Sequence, residues 1–403
     1  MRKKHFLFAS VLALLCGSST LHAQDFKLTS SGYFKNQGVD VMAFDDIYPE
    51  GHQGGVCIIM NGHRVATNGD IRLEATPGQW QPVPKQLDRK LGDNSITATL
   101  CYPDSSRHLT GFNPMIYPDL HLIYTVNVES KGKNIEVTVD LDRPIPQEFI
   151  GKVGFNLEFF PGSLFGKPWI MDGQSGIFPQ QPNSPLMTTQ PNYLHTGNYH
   201  DGKKSLADMD KLIGKGYSPI VADDIISEPY AKGTKFTSRP DDPYNKVTIE
   251  SLSGDLQLFD GRMNHNNGWF VLRSNIKPGV TKGAVKWIIT PNVVADWMYQ
   301  PVIQTSQIGY HPTQDKEAVI EMDIRDNRKE TAQIIRIDAD GEKVVKNVTP
   351  ANWGKFLRYN YLKVNFTDVK EPGLYKIKYN TSVSPIFRID NDVYARGVWQ
   401  PVL

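Results

Sequence analysis

The sequence has 403 residues, a length that corresponds to two or three domains. Its 44 Lys and Arg residues nearly balance its 43 Asp and Glu residues, so the charge gives no reason to expect a nucleic-acid partner or an anionic membrane surface. Hydrophobic residues make up 39% and charged residues 22%, which excludes a largely disordered chain and a multi-pass membrane protein. The 33 Gly and 27 Pro residues favour many turns over long helices.

The first residues have the pattern of an export signal. Arg2, Lys3 and Lys4 precede an apolar run at residues 6–15, and small and polar residues then lead to Ala23. We therefore predict that residues 1–23 are a cleavable signal peptide, with an uncleaved N-terminal anchor as the alternative. The mature chain is expected to be periplasmic or extracellular and to have no membrane span.

Two cysteines remain after that cleavage. Cys57 and Cys101 both lie in strand-like runs, so they could form a disulfide between neighbouring strands, or they could be two buried, inert thiols. His195, His200 and His265 lie in polar loops without the spacing of metal ligands. We therefore predict no metal site and no cofactor.

Short strands dominate the first half of the sequence. Alternating or apolar runs separated by turns occur at residues 54–60, 71–75, 95–101, 120–128, 134–141 and 153–160. The run 134–141 is the clearest, and the turn before it predicts a β-hairpin over residues 120–141. This pattern is typical of an antiparallel sandwich.

Residues 161–243 differ from their surroundings because they are rich in Gly, Pro, Asn and Asp and have little periodicity. One short helix is predicted at residues 205–213. Strands resume afterwards, at residues 246–250, 255–259, 269–274 and 283–290. We therefore predict one large β-sandwich over residues 24–300, with a loop-rich insertion at about 161–243.

A second domain is predicted at residues 301–392. Its strands are at residues 317–322, 361–366, 373–379 and 386–389, and a hairpin at 332–345 turns at Asp340-Gly341. Short, evenly spaced strands of this kind predict an immunoglobulin-like sandwich, so the fold class is all-β. Asp392 has the character of a helix N-cap, which predicts that a helix begins within residues 393–403.

Several motifs in this second domain resemble one known family. Residues 307–312 (Gln-Ile-Gly-Tyr-His-Pro) and 316–319 resemble the opening of the N-terminal Ig-like module of family 9 glycoside hydrolases, which are cellulases. Further matches to that module are the stretches 364–369, 372–375, 384–389 and 392–394. Residues 155–183 resemble a β-sandwich that precedes such modules in secreted hydrolases of gut-type Bacteroidetes.

The resemblance implies a catalytic partner that this chain does not contain. Family 9 enzymes invert the anomeric centre with an Asp pair and a Glu, which lie on an (α/α)6 barrel after the Ig-like module. No catalytic residue can be carried over to a position here, and residues 393–403 would be the start of a truncated barrel. Residues expected to pack against that barrel are Tyr310, Tyr394 and Trp399.

Binding a sugar requires fewer specifically placed side chains than cleaving one. Pyranose faces stack on aromatic rings, and their hydroxyls bind planar polar side chains. The candidates for carbohydrate contact are Trp169, Asp172, Phe178, Tyr193, Tyr199 and Trp269. The alternative is that Trp169 and Phe178 fix the long insertion onto the sandwich.

Three functions are open at this point. The first is the non-catalytic N-terminal portion of a secreted family 9-type hydrolase of β-glucans, which stabilises and positions the barrel. The second is a free-standing glycan-binding protein, and β-glucan is the expected polysaccharide in both. The third is a structural or adhesive surface protein.

Overall fold

A computed structural model describes most of the chain, namely residues 25–45, 54–74, 77, 82–102, 120–182, 186–188, 226–263 and 268–395. Strands dominate these residues, and the helical segments among them are short 3-10 turns at Gln147–Phe149, Pro161–Ser163 and Gly261–Met263. The predicted all-β fold class is confirmed.

Twenty strands precede residue 300 in the described ranges. They are β1 (Lys27–Leu28), β2 (Phe34–Asn36), β3 (Val39–Ala43), β4 (Val56–Met60), β5 (His63–Leu73), β6 (Lys85–Leu91), β7 (Ser95–Cys101), β8 (Ile123–Lys131), β9 (Asn134–Leu141), β10 (Val153–Phe159), β11 (Pro168–Met171), β12 (Gln174–Ile177), β13 (Leu186–Thr188), β14 (Ile226–Ser227), β15 (Ala231–Gly233), β16 (Lys235–Ser238), β17 (Val247–Ser251), β18 (Leu256–Asp260), β19 (Phe270–Asn275) and β20 (Val285–Pro291).

These strands form two large antiparallel sheets that pack face to face. The first sheet has the order β1-β2-β3-β4-β5-β10-β19-β18-β15, and the second has the order β12-β11-β16-β17-β20-β9-β8-β7-β6. Strands β13 and β14 form a separate ribbon. One continuous apolar core lies between the sheets, where Phe155 of the first meets Trp287 of the second edge to face at 5.0 Å.

The hairpin predicted over residues 120–141 is present as β8 and β9. Lys131 pairs with Asn134, which leaves a two-residue loop of Gly132 and Lys133. Gly132 has φ of +67°, a value that favours glycine at the first central position of this turn. Alternate residues of β9 are buried, because one face of the second sheet covers the core and the other faces solvent.

The first sheet differs, since its central strands are buried on both faces. Strand β10 is buried along its whole length, and β5 is buried from Val65 onward. The core-facing positions are apolar, whereas Asp70, Arg72 and Glu158 are buried polar residues on the same two strands. Period-2 alternation is therefore not visible in residue burial here.

The segment predicted as a loop-rich insertion contributes edge strands to both sheets. Strands β11, β12 and β16 extend the second sheet, and β15 closes the first. Strand β11 pairs on one side with β12, which follows it in the sequence, and on the other side with the more distant β16. The helix predicted at residues 205–213 lies outside the described residues.

Nine strands follow residue 300. They are β21 (Val302–Gln304), β22 (Glu317–Asp323), β23 (Ala332–Asp338), β24 (Gly341–Val348), β25 (Ala351–Phe356), β26 (Tyr359–Asn365), β27 (Gly373–Tyr379), β28 (Ser382–Val383) and β29 (Phe387–Ile389).

They form a smaller antiparallel sandwich with a core of its own. The third sheet has the order β21-β22-β26-β25, and the fourth has the order β24-β23-β27-β28 with β29 paired to β27. The predicted hairpin is present, but its loop is Ala339 and Asp340, because Asp338 pairs with Gly341. The separate core contains Ile320, Ile334, Leu362 and Ile377.

After β29 the described chain ends in turns at residues 391–395. The helix predicted within residues 393–403 falls largely on residues 396–403, which lie outside the described residues. Among the described residues, no helix has the length and apolar character needed to cross a membrane.

Candidate functional site at the junction of the two sandwiches

Two of the predicted sugar-contact residues belong to the core. Trp169 on β11 is 6% exposed, and its ring stacks on Tyr230 with the centroids 6.5 Å apart. Phe178 is fully buried and packs on Phe270 at 4.7 Å. Neither ring is accessible for a pyranose to stack on. These positions correct the sugar-contact prediction and support the alternative, in which both rings fix the insertion onto the sandwich.

The other candidates in the described part of the chain also have structural contacts. Asp172 lies in a turn, and its carboxylate accepts hydrogen bonds from the backbone N–H groups of Thr234 (2.9 Å) and Lys235 (3.0 Å). Trp269 is half-buried and packs edge-on against Phe160 at 4.4 Å. Two further candidates, Tyr193 and Tyr199, lie outside the described residues.

The two cysteines are not on neighbouring strands. Cys57 is on β4 of the first sheet, Cys101 is on β7 of the second, and neither is in a disulfide. The buried thiol of Cys57 instead donates to the carbonyl of Gly54 at 3.2 Å. A disulfide between neighbouring strands, one of the two predicted possibilities, is therefore wrong, because β4 and β7 belong to different sheets. Burial raises the pKa of the Cys101 thiol, against the opposing effect of Lys85.

The residues predicted to pack on a barrel have other contacts. The Tyr310 ring is buried in the second core, against Phe366 at 5.1 Å and Phe387 at 5.3 Å. Its hydroxyl donates to the carbonyl of Glu317. Tyr310 is therefore a core residue and not a surface contact. Tyr394 is half-buried and donates to Oε1 of Gln314, and Trp399 lies outside the described residues.

A cluster of charged side chains is buried beside the first sheet. Arg273 on β19 donates through Nη1 to Glu74 Oε1 (3.2 Å) and to Asn156 Oδ1 (3.0 Å). Asn156 in turn donates to Glu74 Oε1 at 2.6 Å. Gly154 leaves room for the guanidinium, because a methyl group there would lie 2.8 Å from Nε of Arg273. The Tyr124 hydroxyl, from the second sheet, donates to Asp70 at 2.9 Å.

Burial dominates the electrostatics of this cluster. Desolvation raises the pKa of Glu74 to about 7 although Arg273 opposes it, and raises the pKa of Asp70 to about 6 against Arg72. Burial alone would lower the pKa of Arg72, but the carboxylates of Glu158 and Asp70 hold it above its usual value. These perturbed groups are enclosed on all sides, which is typical of a structural ion cluster, although Glu74 Oε2 and Arg72 Nε have no hydrogen-bond partner in the described part of the chain.

Metal ligation has no candidate in the part of the chain that the structure describes. There, no group of three or more His, Cys, Asp and Glu side chains is arranged to hold an ion.

The segment between β20 and β21 attaches to the first sandwich through two aromatic rings. Trp297 lies against Gly38 of the β2–β3 turn, where a methyl group would come within 2.7 Å of Cε3 of the indole. Tyr299 lies against Gly62 of the β4–β5 turn, where a methyl group would be 3.2 Å from Cε2. Both glycines have positive φ, +65° and +84°. Because these turn glycines have no side chain, the two rings can pack directly against the backbone of the turns.

The same segment is hydrogen-bonded to both sandwiches. The Trp297 carbonyl accepts from Nε2 of Gln37 (2.7 Å) and from Nη2 of Arg325 (2.6 Å). The Tyr299 amide donates to Asp323 at 3.0 Å, and its hydroxyl donates to Glu321 at 2.9 Å. Burial would raise the pKa of Asp323, but the hydrogen bonds from Arg325 and Tyr299 lower it to about 2. The connection is therefore bonded into a fixed geometry.

A cavity of about 470 Å³ lies at this junction. It is lined by side chains from both sandwiches and from the connecting segment, among them Lys35, Asn36, Asp40, Trp297, Arg358 and Tyr359. Arg358 contacts Asp40 across the junction at 3.3 Å. Burial raises the pKa of Asp40, and Lys35 and Arg358 oppose that shift. Aromatic rings with planar polar groups are chemically suited to a small polar ligand.

Ring contacts continue from the cavity across the third sheet. We call these six residues the aromatic row: Trp297, Tyr299, Tyr359, Tyr361, Trp353 and Phe356. Successive ring centroids along this order are 6.4, 5.1, 6.1, 5.6 and 6.5 Å apart. Both carboxylate oxygens of Glu321 accept tyrosine hydroxyls, from Tyr299 (2.9 Å) and Tyr361 (3.2 Å). The row begins in the cavity and ends on the exposed edge strand β25.

The junction and the aromatic row could not be predicted from the sequence. Their contacts join residues far apart in the sequence, as when Gln37 meets Trp297 across 260 positions. One signal was available, because Trp297 and Tyr299 lie in a segment without strand periodicity, where there is no local reason to bury aromatic rings.

The topology and the junction define a two-sandwich, all-β protein whose second sandwich is immunoglobulin-like. Residues 298–384 match the family model of the cellulase N-terminal Ig-like domain. Among solved structures, a metagenome-derived glycoside hydrolase family 9 endoglucanase matches with 29% identity and a TM-score of 0.20. The match covers 22% of this chain and 18% of that one, so the chain spans less than a fifth of that enzyme. No curated protein matches. The resemblance to the cellulase Ig-like module is thus confirmed for these residues.

Proposed function

We propose that this chain is the non-catalytic N-terminal portion of a secreted glycoside hydrolase of the family 9 type, which hydrolyses β-glucans when intact. Its two sandwiches would stabilise and position the (α/α)6 catalytic barrel. The exported protein would be periplasmic or extracellular, of the kind found in gut-type Bacteroidetes. The observation that carries this proposal is the cellulase Ig-like match over residues 298–384.

The junction supports a positioning role. A module that orients a partner must itself be held in place, and here Trp297 and Tyr299 bond the connecting segment to both sandwiches. A non-catalytic role is supported by the described carboxylates with strongly raised pKa values. Glu74 and Asp70 are enclosed in the buried cluster, where each is 1% exposed.

The proposal is tested by joining this chain to the barrel of a family 9 endoglucanase. We expect the barrel's unfolding midpoint to rise by several degrees when the chain precedes it, because docking adds stability of about 1–2 kcal/mol or more. A fusion with the first sandwich alone is the matched control. Equal midpoints for the barrel with and without the whole chain would contradict the positioning role.

A second candidate function is glycan binding by the chain on its own. The exposed end of the aromatic row favours it, since Trp353 and Phe356 are 55% and 57% exposed. The two functions are compatible, because accessory modules of a hydrolase can also bind its polysaccharide substrate.

A further inference from the structure

We propose that the aromatic row is a binding track for a single linear β-glucan chain, which enters the junction cavity at one end and crosses Trp353 at the other. This inference rests on the proposed function for the identity of the sugar. None of the six residues of the aromatic row was a sugar-contact candidate in the sequence.

The local structure of β25 and β26 places the rings on one surface. Tyr359 and Tyr361 alternate on β26, so both lie on the outer face of the third sheet. Trp353 lies in a β-bulge opposite Tyr361, where the register shifts between Asn352 and Gly354. A bulge on an edge strand redirects a side chain, and here the indole meets the Tyr361 ring at 5.6 Å.

The surroundings of the rings suit a neutral, hydroxylated ligand. Two carboxylates beside the rings are paired with cations, Glu317 with Lys363 at 3.0 Å and Asp40 with Arg358 at 3.3 Å. A third, Glu321, accepts the hydroxyls of Tyr299 and Tyr361 instead. An anion would meet those carboxylates, and a cation would meet the lysine and arginine. A pyranose presents apolar faces to aromatic rings and hydroxyls to charged or amide groups, so it matches both the rings and the charged side chains beside them.

The shape of the site suits an extended chain more than a globular ligand. The rings follow one another at 5.1–6.5 Å and are inclined to their neighbours by 49–89°, so a chain would stack on individual rings along the row and not on one flat platform. Beside Trp353, Phe356 and Tyr361 the surface has only a shallow depression of about 200 Å³, whereas the junction cavity has about 470 Å³. Small-molecule pockets are typically about 300–1,000 Å³. The cavity can therefore hold the end of a chain, and the remaining sugars would lie across the exposed rings.

The test is isothermal titration of the whole chain with cellohexaose, cellotriose and soluble mixed-linkage β-glucan. We expect saturable binding, with cellohexaose tighter than cellotriose because it spans more rings. Trp353→Ala and Tyr361→Ala should each weaken cellohexaose binding roughly 2- to 10-fold. Tyr361 shares Glu321 with Tyr299 of the connecting segment, so the unfolding midpoint of each variant is measured as well, and an unchanged midpoint shows that the fold is intact.

One control variant and one further variant test where the chain binds. Ile386→Ala removes a side chain that is 60% exposed elsewhere on the same sandwich, and it should leave binding unchanged. Asp40→Asn probes the cavity end without removing a ring, and it should weaken cellohexaose binding as well. Binding that is absent, or that is unaffected by the Trp353 and Tyr361 substitutions, would overturn the inference. The barrel-fusion measurement would still decide the proposed function, because its readout does not involve sugar.

Discussion

Replacing Glu74 with Gln should change how the stability of the first sandwich depends on pH. Glu74 is buried, and its pKa in the folded chain is about 7, compared with an ordinary value of 4.5. In the unfolded chain the carboxyl loses its proton near the ordinary value, whereas the folded chain retains the proton until about pH 7. The folded state therefore binds more protons in this window, so the free energy of unfolding falls as pH rises through it.

The magnitude follows from the difference between the two pKa values. One pKa unit corresponds to about 1.4 kcal/mol, so Glu74 accounts for a loss of about 3 kcal/mol between pH 4.5 and pH 7. Asp70 acts in the same direction, from its ordinary 3.8 to about 6. Below the ordinary values both states are protonated, and this contribution to stability is fully present.

The assay is urea unfolding at about pH 5 and about pH 8, followed by intrinsic tryptophan fluorescence, to which the buried Trp287 contributes. We expect the native chain to be more stable at the lower pH, and Glu74→Gln to reduce that difference by about 3 kcal/mol. Thr248→Val, on the partly exposed face of β17 and without a titratable group, is the control that should keep the native slope. A native chain that is more stable at about pH 8, or a Glu74→Gln slope equal to the native one, would refute this reasoning.

The remaining predictions concern the junction and the core. Gly38→Ala should destabilise the chain more than Gly279→Ala, because both glycines have positive φ but only at Gly38 would the new methyl group meet Trp297 and Asn61. Calorimetry should show that the two variants differ in unfolding free energy by about 1–3 kcal/mol. Equal losses of stability would mean that the indole does not pack against this turn. Trp169→Ala should lower the free energy of unfolding in urea by about 3–5 kcal/mol, because it opens a cavity in the core. Trp353→Ala, at an exposed ring, should lower it by less than about 0.5 kcal/mol. Similar losses of stability for the two variants would contradict their different burial.

The sequence predicted those elements whose two faces meet different environments. Strands β8 and β9 alternate because the core lies on one side and water on the other, so residues 134–141 predicted both the strand and its orientation. The second sandwich was predicted for the same reason, with the hairpin loop displaced by one position. Strand β10 was also predicted, from the apolar run 153–160, but because neither of its faces is exposed the run did not predict which face meets the core.

The candidate site could not be predicted in the same way. The sequence alone does not distinguish Trp169, which is enclosed by β12 and Tyr230, from Trp353, which lies exposed on an edge strand. That difference depends on which strands become neighbours. The packing of Trp297 against Gly38 is likewise a long-range contact, visible only once both turns are placed.

The most direct test of the central claim is a turnover assay on the purified 403-residue chain. Carboxymethyl-cellulose, mixed-linkage β-glucan and xyloglucan would be incubated with it, and reducing ends would be measured over time. An accessory portion without catalytic residues predicts no release above the buffer control, even where cellohexaose binds. Release of reducing sugar in proportion to protein concentration would contradict the account.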